Sequence, residues 1–220
     1  MKKILIRGKK YLTGSISISG SKNATLPILA ATILSEKVLL KNVPFVKDVY
    51  TMVDLLNSIG LGIEIDKKKK TIKINNKKKI LNTIAPYRLV KTMRAGILVL
   101  GALLSKYKVA KVSLPGGCAI GSRPVDLHLF ALKKLGAKIK IKNGYIYASA
   151  KNGLKGNSIK FPKISVGATE NAIIAAAQAK GKTILYNCAT EPEIIDLILF
   201  LQKMGCNILT KQRKIIIEGV

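Results

Sequence analysis

The sequence predicts an α/β layered domain built from three copies of one unit. The phrase LLNSIGLGIEI returns as ALKKLGAKIKI and again as FLQKMGCNILT, with its glycine at Gly60, Gly136 and Gly205. Self-similarity at a long period marks a repeated architecture. Each phrase reads as an amphipathic helix closed by glycine and followed by an alternating strand, and helices alternating with strands point to layered α/β packing. Upstream of each phrase lies another helix, apolar nearly all round: Asn23–Leu34, Lys91–Leu104 and Ala168–Ala179. Helices of that kind belong inside, so these three are expected in the core with sheets around them.

In chain order, the first helix leads to the β-branched segment Val38–Leu40, the helix ending at Gly60, and two strands joined across the lysine-rich turn Lys67–Lys70, the second being Thr71–Ile74. The second copy runs through Lys111–Leu114, the helix ending at Gly136, and a strand pair finishing with Tyr145–Ser149. The third runs through Thr183–Leu185, the helix ending at Gly205, and a pair finishing with Lys214–Glu218. A further strand leads into each next copy. Cys206 takes the place of Leu61 and Ala137, and Cys188 follows a strand in the register of Val43, so both cysteines are expected to be structural.

The repeat also exposes an insertion. Asn42 to Gly60 and Asn187 to Gly205 each span 18 residues, whereas the matching Ser113 to Gly136 spans 23. The extra residues fall at Pro115–Ser122, within LPGGCAIGSRPVDLH (Leu114–His128). Packing a repeat needs no such insertion, which marks the loop as functional. Its glycines bare the backbone, Cys118 sits at its centre, and Arg123 carries a planar fork suited to phosphate or carboxylate. Nearby positive charge favours the thiolate. The competing reading is a surface turn with an incidental cysteine.

Composition narrows the class. The 39 Lys+Arg against 11 Asp+Glu give a net charge of +28, which taken alone suggests a nucleic-acid or anionic-membrane partner. The excess is mostly lysine in runs such as Lys67–Lys70 and Lys77–Lys79, with almost no aromatic interleaving for base stacking, so neither partner is expected. Cys118, Cys188 and Cys206 form an odd set without CxxC spacing, which suggests neither a disulfide framework nor a zinc site. The apolar run Ile4–Ile6 is too short for a signal peptide, and Ala95–Leu104 falls well below the ~18 residues of a membrane span. A soluble, cytoplasmic protein with reduced thiols is expected.

Other residues stand out by pattern. Lys22 and Asn23 open a helix, where amides and an ammonium make an anion site, or where Asn23 simply caps the helix. Arg94 interrupts an apolar helix face, and a buried arginine needs an anion. Asp126 reads most simply as a helix cap before Leu127, and His128, the only histidine, as a structural residue.

GSKNATLPILAA (Gly20–Ala31), PYRLVKTMRAG (Pro86–Gly96), the glycine–cysteine loop, KISVGAT (Lys163–Thr169) and EPEIID (Glu191–Asp196) occur together and in order. In this the chain resembles the enolpyruvyl transferases, specifically the UDP-N-acetylglucosamine 1-carboxyvinyltransferase family that takes the first committed step of peptidoglycan synthesis. The resemblance implies an inside-out α/β barrel domain of repeated βαβαββ units. It implies enolpyruvyl transfer from phosphoenolpyruvate to the 3′-hydroxyl of UDP-N-acetylglucosamine, with no metal or organic cofactor. It assigns Cys118 as the catalytic residue and Lys22 and Asn23 to phosphoenolpyruvate. UDP-N-acetylglucosamine falls to Arg94, to Arg123, Pro124, Val125, Asp126 and Leu127, and to Lys163, Ile164, Ser165 and Val166, with Gly167 in support. Glu191 and Glu193 are supporting at most. It also implies residues 1–21 pairing with a second domain, a transferase domain over 22–220 with repeats near 22–80, 81–150 and 151–220, and a separate C-terminal half as partner. The alternative is a truncated, inactive remnant that only binds the UDP-sugar.

Overall fold

The computed structural model describes residues 3–76, 82–116 and 125–220. The first unit holds α1 (Lys22–Ala31), β1 (Lys37–Leu40), α2 (Lys47–Ile59), β2 (Gly62–Asp66) and β3 (Thr71–Asn75). The second holds β4 (Ile84–Ala85), α3 (Tyr87–Val90), a 3₁₀ turn at Arg94–Leu98, α4 (Val99–Tyr107), β5 (Val109–Ser113), α5 (Asp126–Lys134), β6 (Lys138–Lys142) and β7 (Tyr145–Ser149). The third holds β8 (Ser158–Lys160), α6 (Val166–Ala176), β9 (Lys182–Tyr186), α7 (Pro192–Lys203), β10 (Asn207–Lys211) and β11 (Lys214–Glu218).

Each unit has its own sheet, and the three sheets share one plan. The orders are β4-β5-β7-β6 and β8-β9-β11-β10, with the first two strands parallel and the others antiparallel. The first unit keeps β1-β3-β2, and among the described residues β1 has no neighbour on its other edge. The central strands β3, β7 and β11 turn Ile72 and Ile74, Ile146 and Ala148, and Ile215 and Ile217 inward in the same alternation. Period-two burial of this kind is what a sheet with one wet face produces.

Inside the sheets the helices form two rings. α1, α4 and α6 are buried almost throughout and pack on one another at the centre. The second helix of each unit leans on the next unit: α2 on α3 and the 3₁₀ turn, α5 on α6, and α7 on α1. Glycine closes the second helices as expected, with positive φ at Gly60, Gly136 and Gly205. Cys206 and Cys188 are buried, like Leu61 and Val43 in the first unit. Among the described residues no helix is long and apolar enough to cross a membrane.

One expected helix is broken. In place of a continuous Lys91–Leu104, α3 ends at Val90 and α4 begins at Val99. Thr92 turns its hydroxyl back onto the Leu89 carbonyl at 3.2 Å, and Met93 is extended (φ −142°, ψ 109°). That geometry buries the Met93 side chain, so tertiary packing overrides helical periodicity here. Near the N-terminus, Ile16 and Ile18 are exposed and pair with no strand among the described residues.

The centre is pinned by a polar contact. Where α4 crosses α6, Asn171 Oδ1 accepts the Gly101 amide at 2.9 Å, and a Cβ on Gly101 would overlap that oxygen. Asn171 Nδ2 donates to the Ile97 carbonyl at 3.3 Å and to His128 Nδ1 at 3.1 Å. Overpacking a core contact costs about 1–3 kcal/mol. Gly101→Ala is therefore expected to lower unfolding stability by about that amount, read as a lower urea midpoint at unchanged slope.

Candidate active site

Residues from the N-terminal ends of the helices of both rings meet at one mouth. A cleft of about 530 Å³ opens there, floored by the starts of α1 and α6 and by the 3₁₀ turn ahead of α4. Lys22, Arg94, Val166 and Gly167 line it from those central elements, with Asp48, His128 and Glu193 contributed by α2, α5 and α7. Backbone N–H groups left open at helix starts give such a mouth a positive potential before any side chain is counted.

The first turn of α1 is capped by Ser21, whose hydroxyl accepts the Ala24 amide at 3.4 Å. Asn23 is thus not the cap that pattern alone allowed, and its side chain is left exposed beside Lys22. Lys22 Nζ donates to Asp48 Oδ2 at 2.9 Å. An anion arriving in the cleft competes with Asp48 for that ammonium. Both groups are partly solvated, so the tether is weak enough to exchange. Pro27 sits inside α1 and has no N–H to offer the Asn23 carbonyl, leaving that oxygen without its helical partner near the cleft.

Arg94 corrects an expectation. It begins the 3₁₀ turn and its side chain is exposed at the cleft, not buried in an apolar helix face. The break at Met93 is the reason, because it starts a new turn there and aims residue 94 outward. Asp126 is likewise not a cap: α5 begins with it, Val125 holds the capping position, and no side chain closes that end. α6 begins as expected, with Ser165 accepting the Ala168 amide at 3.3 Å and Val166 and Gly167 half-buried at the cleft. Thr169 Oγ1 accepts the Ala189 amide at 3.1 Å, which fixes the helix start against the loop before α7.

Not all of the expected residues meet. Lys22, Asn23, Arg94, Val166 and Gly167 share the cleft, whereas Val125 is buried and Lys163 and Ile164 lie exposed on the approach to α6. Cys118, Arg123 and Pro124 lie outside the described residues. The chain leading toward them passes close to the cleft, since a Cβ on Gly116 would stand 2.6 Å from the carbonyl oxygen of Lys91, three residues before Arg94. The described cysteines are poor nucleophiles: burial pushes the Cys188 thiol up to about 12 and also raises Cys206. Among the described residues no cluster of His, Cys, Asp or Glu is arranged to hold a metal.

Sequence reasoning passed over Asp48, Glu170 and Asn171. The adjacent polar pair Glu170–Asn171 inside an otherwise apolar helix was the available signal. Glu170 is 6% exposed and lines the cleft. Burial, then the Glu193 and Glu191 charges, push its carboxyl up to about 8, against the opposing pull of Arg94. His128 is 2% exposed, and burial followed by Arg94 pushes its imidazole down to about 4 against Asp126. Burial thus favours the neutral forms of Glu170 and His128 on the floor of the cleft, while its rim carries Lys22 and Arg94 together with Asp48 and Glu193.

The family described as EPSP synthase (3-phosphoshikimate 1-carboxyvinyltransferase) matches residues 6–220. The UDP-N-acetylglucosamine 1-carboxyvinyltransferase of Pelagibacter ubique (strain HTCC1062) is 63% identical over 222 residues, covering 100% of this chain and 52% of that protein. The protein of the same description from Rickettsia akari (strain Hartford) is 56% identical over 209 residues, covering 94% and 50%. Among solved structures, the enolpyruvyl transferase NikO from Streptomyces tendae superposes with a TM-score of 0.81 at 20% identity, over 95% of this chain and 49% of that one. An EPSP synthase from Acinetobacter baumannii gives 0.72 at 17% identity, over 94% and 47%. The chain spans about half the length of the curated relatives it matches.

The two shifted groups act oppositely on stability. Glu170 titrates near 8 when folded against 4.5 otherwise, so the folded state holds the extra proton in that window and stability falls as pH rises through it. His128 titrates near 4 against 6.5, so the unfolded chain holds the extra proton and stability rises with pH through that window. Above pH 6.5 only the Glu170 effect remains of the two. Urea midpoints are expected to fall from pH 6.5 to 8 in the wild type, and Glu170→Gln to flatten that fall.

Proposed function

The chain belongs to the EPSP synthase family of enolpyruvyl transferases, and from that premise we propose that it is the part of a UDP-N-acetylglucosamine 1-carboxyvinyltransferase that binds both substrates. On this reading residues 22–220 form the transferase domain and residues 1–21 pair with a second domain carried by a C-terminal half. The protein acts in the cytoplasm, in the first committed step of peptidoglycan synthesis. The observation that carries the proposal is the convergence of helix N-termini with Lys22 and Arg94 on one cleft. Anionic substrates suit such a mouth, because open amides and fixed cations are already in place when the ligand arrives.

Chemically, the 3′-hydroxyl of the sugar adds to the enol carbon of phosphoenolpyruvate while the methylene carbon takes a proton. The resulting tetrahedral ketal then expels phosphate as its methyl group gives up a proton, which restores the carbon–carbon double bond. Lys22 and Asn23 hold the phosphate of phosphoenolpyruvate, and Arg94 lies where the two substrates meet. Arg123 to Leu127 and Lys163 to Val166, supported by Gly167, take the nucleotide sugar. Cys118 serves the enolpyruvyl group as proton donor or covalent trap. Every step is a proton transfer or carbon–oxygen exchange, for which charge stabilisation by side chains and amides suffices.

The test begins with the purified chain, UDP-N-acetylglucosamine and phosphoenolpyruvate, following ligand binding by calorimetry and phosphate release by assay. Binding of the UDP-sugar is the expected result, and its absence overturns the proposal. Binding without turnover by this chain, alone and joined to a C-terminal half, favours a UDP-sugar-binding remnant. In the joined protein, Lys22→Ala is expected to lower turnover about 100-fold or more, the scale of losing one charge-stabilising group. Cys118→Ala is expected to abolish enolpyruvyl transfer there, and undiminished transfer would remove the loop cysteine from the mechanism.

A further inference from the structure

The outer face of the second sheet differs from the other two in its charge. In the first sheet Lys73 on β3 pairs with Glu64 on β2 at 3.4 Å, and in the third Lys182 on β9 pairs with Glu218 on β11 at 2.9 Å. Strands β4 to β7 contain no acidic residue, and among the described residues Lys111, Lys138, Lys140 and Lys142 make no ion pair. The strand register sets all four on the face opposite the buried row of Ile146 and Ala148. The expected absence of a nucleic-acid partner rests on lysine runs without aromatic neighbours, which is true along the chain and untrue across this sheet. On β7, an inner strand of the sheet, Tyr147 stands opposite Lys140 and Tyr145 opposite Lys142. From the other side Lys111 Nζ lies 4.8 Å from the Tyr145 ring centroid and 5.2 Å from that of Tyr147, which steadies both rings. The Tyr145 hydroxyl accepts the Tyr87 amide at 3.3 Å, and Tyr147 is 39% exposed. The face thus carries two parallel rows, one of rings and one of ammonium groups, each advancing by two residues, about 7 Å, per step.

Such a face fits a linear polyanion that repeats its charges along one side and flat groups along the other. We propose that the outer face of the second sheet binds single-stranded nucleic acid, with phosphates along Lys138, Lys140 and Lys142 and bases on Tyr145 and Tyr147. The phosphates of an extended, unstacked strand repeat at a comparable step. Rings combined with a cationic track are also what sequence-tolerant single-strand binding requires. A surface of anionic lipid offers the charge, but neither the repeat nor flat groups for the rings. None of these residues lines the cleft, so the inference goes beyond the transferase reading and does not depend on it.

The test is fluorescence anisotropy of the full chain with labelled oligouridylate and, separately, oligothymidylate of about 12 nucleotides, over a series of salt concentrations. Binding is expected, with an affinity that falls as salt rises. Replacing Lys138, Lys140 and Lys142 together by glutamine should weaken binding about tenfold or more and reduce the logarithmic salt slope by about two. Tyr147→Ala should weaken it about fivefold or more, and Tyr147→Phe should restore it. Replacing Lys67, Lys68 and Lys69 by glutamine removes the same charge from the turn of the first sheet and should do far less. All of these side chains are exposed, so urea midpoints should stay at the wild-type value. Binding of either oligonucleotide with these dependences supports the inference, and a preference between them names RNA or DNA. Equal losses in the two triple variants overturn it, since diffuse charge then suffices. Undiminished binding by Tyr147→Ala overturns it too, as does silence toward both oligonucleotides. Phosphatidylglycerol vesicles held through the same three lysines, with the oligonucleotides ignored, would assign the face to a membrane instead.

Discussion

One amide side chain holds the centre of this molecule together. Asn171 joins α6 to α4 through the Gly101 N–H and the Ile97 carbonyl, and to α5 through His128. Helices this apolar have little to specify how they slide along one another, since packing of small and branched residues tolerates neighbouring registers. A buried polar group removes that freedom, because any slip leaves its donors and acceptor unpaired in a medium that penalises them. The absence of a side chain at Gly101 is the other half of the constraint, allowing the two backbones to approach until the amide reaches. The start of α6, the His128 ring and the 3₁₀ turn bearing Arg94 are thereby set in one frame, and the cleft inherits its shape from that crossing.

The distribution of charge follows from the same geometry. Solvated positions around the mouth hold Lys22 and Arg94, whereas the deeper positions hold Glu170 and His128, both of which burial drives toward their neutral forms. A low-dielectric floor sharpens the pull of Lys22 and Arg94 on an anion that displaces the carboxylates beside them, because little water remains to screen it. Helix ends contribute in the same sense from fixed positions. The family fold thus brings to one place what three sequence-distant segments could not assemble alone.

Much of this was legible in the residues. The three glycine-closed phrases foretold three equivalent sheets and six principal helices, and the apolar helices foretold the inner ring. The buried Cys188 and Cys206 were legible by register. Lys22 and the Ser165–Gly167 helix start were legible because helix beginnings with small or polar residues carry a local pattern. The break at Met93 was not, since nothing local distinguishes a helix that continues from one that yields to bury a methionine. That single event also turned Arg94 from an expected buried cation into an exposed one. Asp48, Glu170 and Asn171 were passed over because their meaning depends on partners such as Lys22, Arg94, Gly101 and His128 that only the fold brings near.

The three sheets differ in one respect, with a consequence for how the molecule breathes. In the second and third units the strand after the inner helix is bonded on both sides, by β4 and β7 around β5 and by β8 and β11 around β9. In the first unit β1 is bonded on one side only among the described residues. Among the described residues half of its amides therefore face outward with no carbonyl to hold them, while their counterparts on β5 and β9 are latched. Local opening follows the density of such latches, so deuterium uptake proceeds unevenly through three copies of one motif, reaching Lys37–Leu40 ahead of β5 and β9.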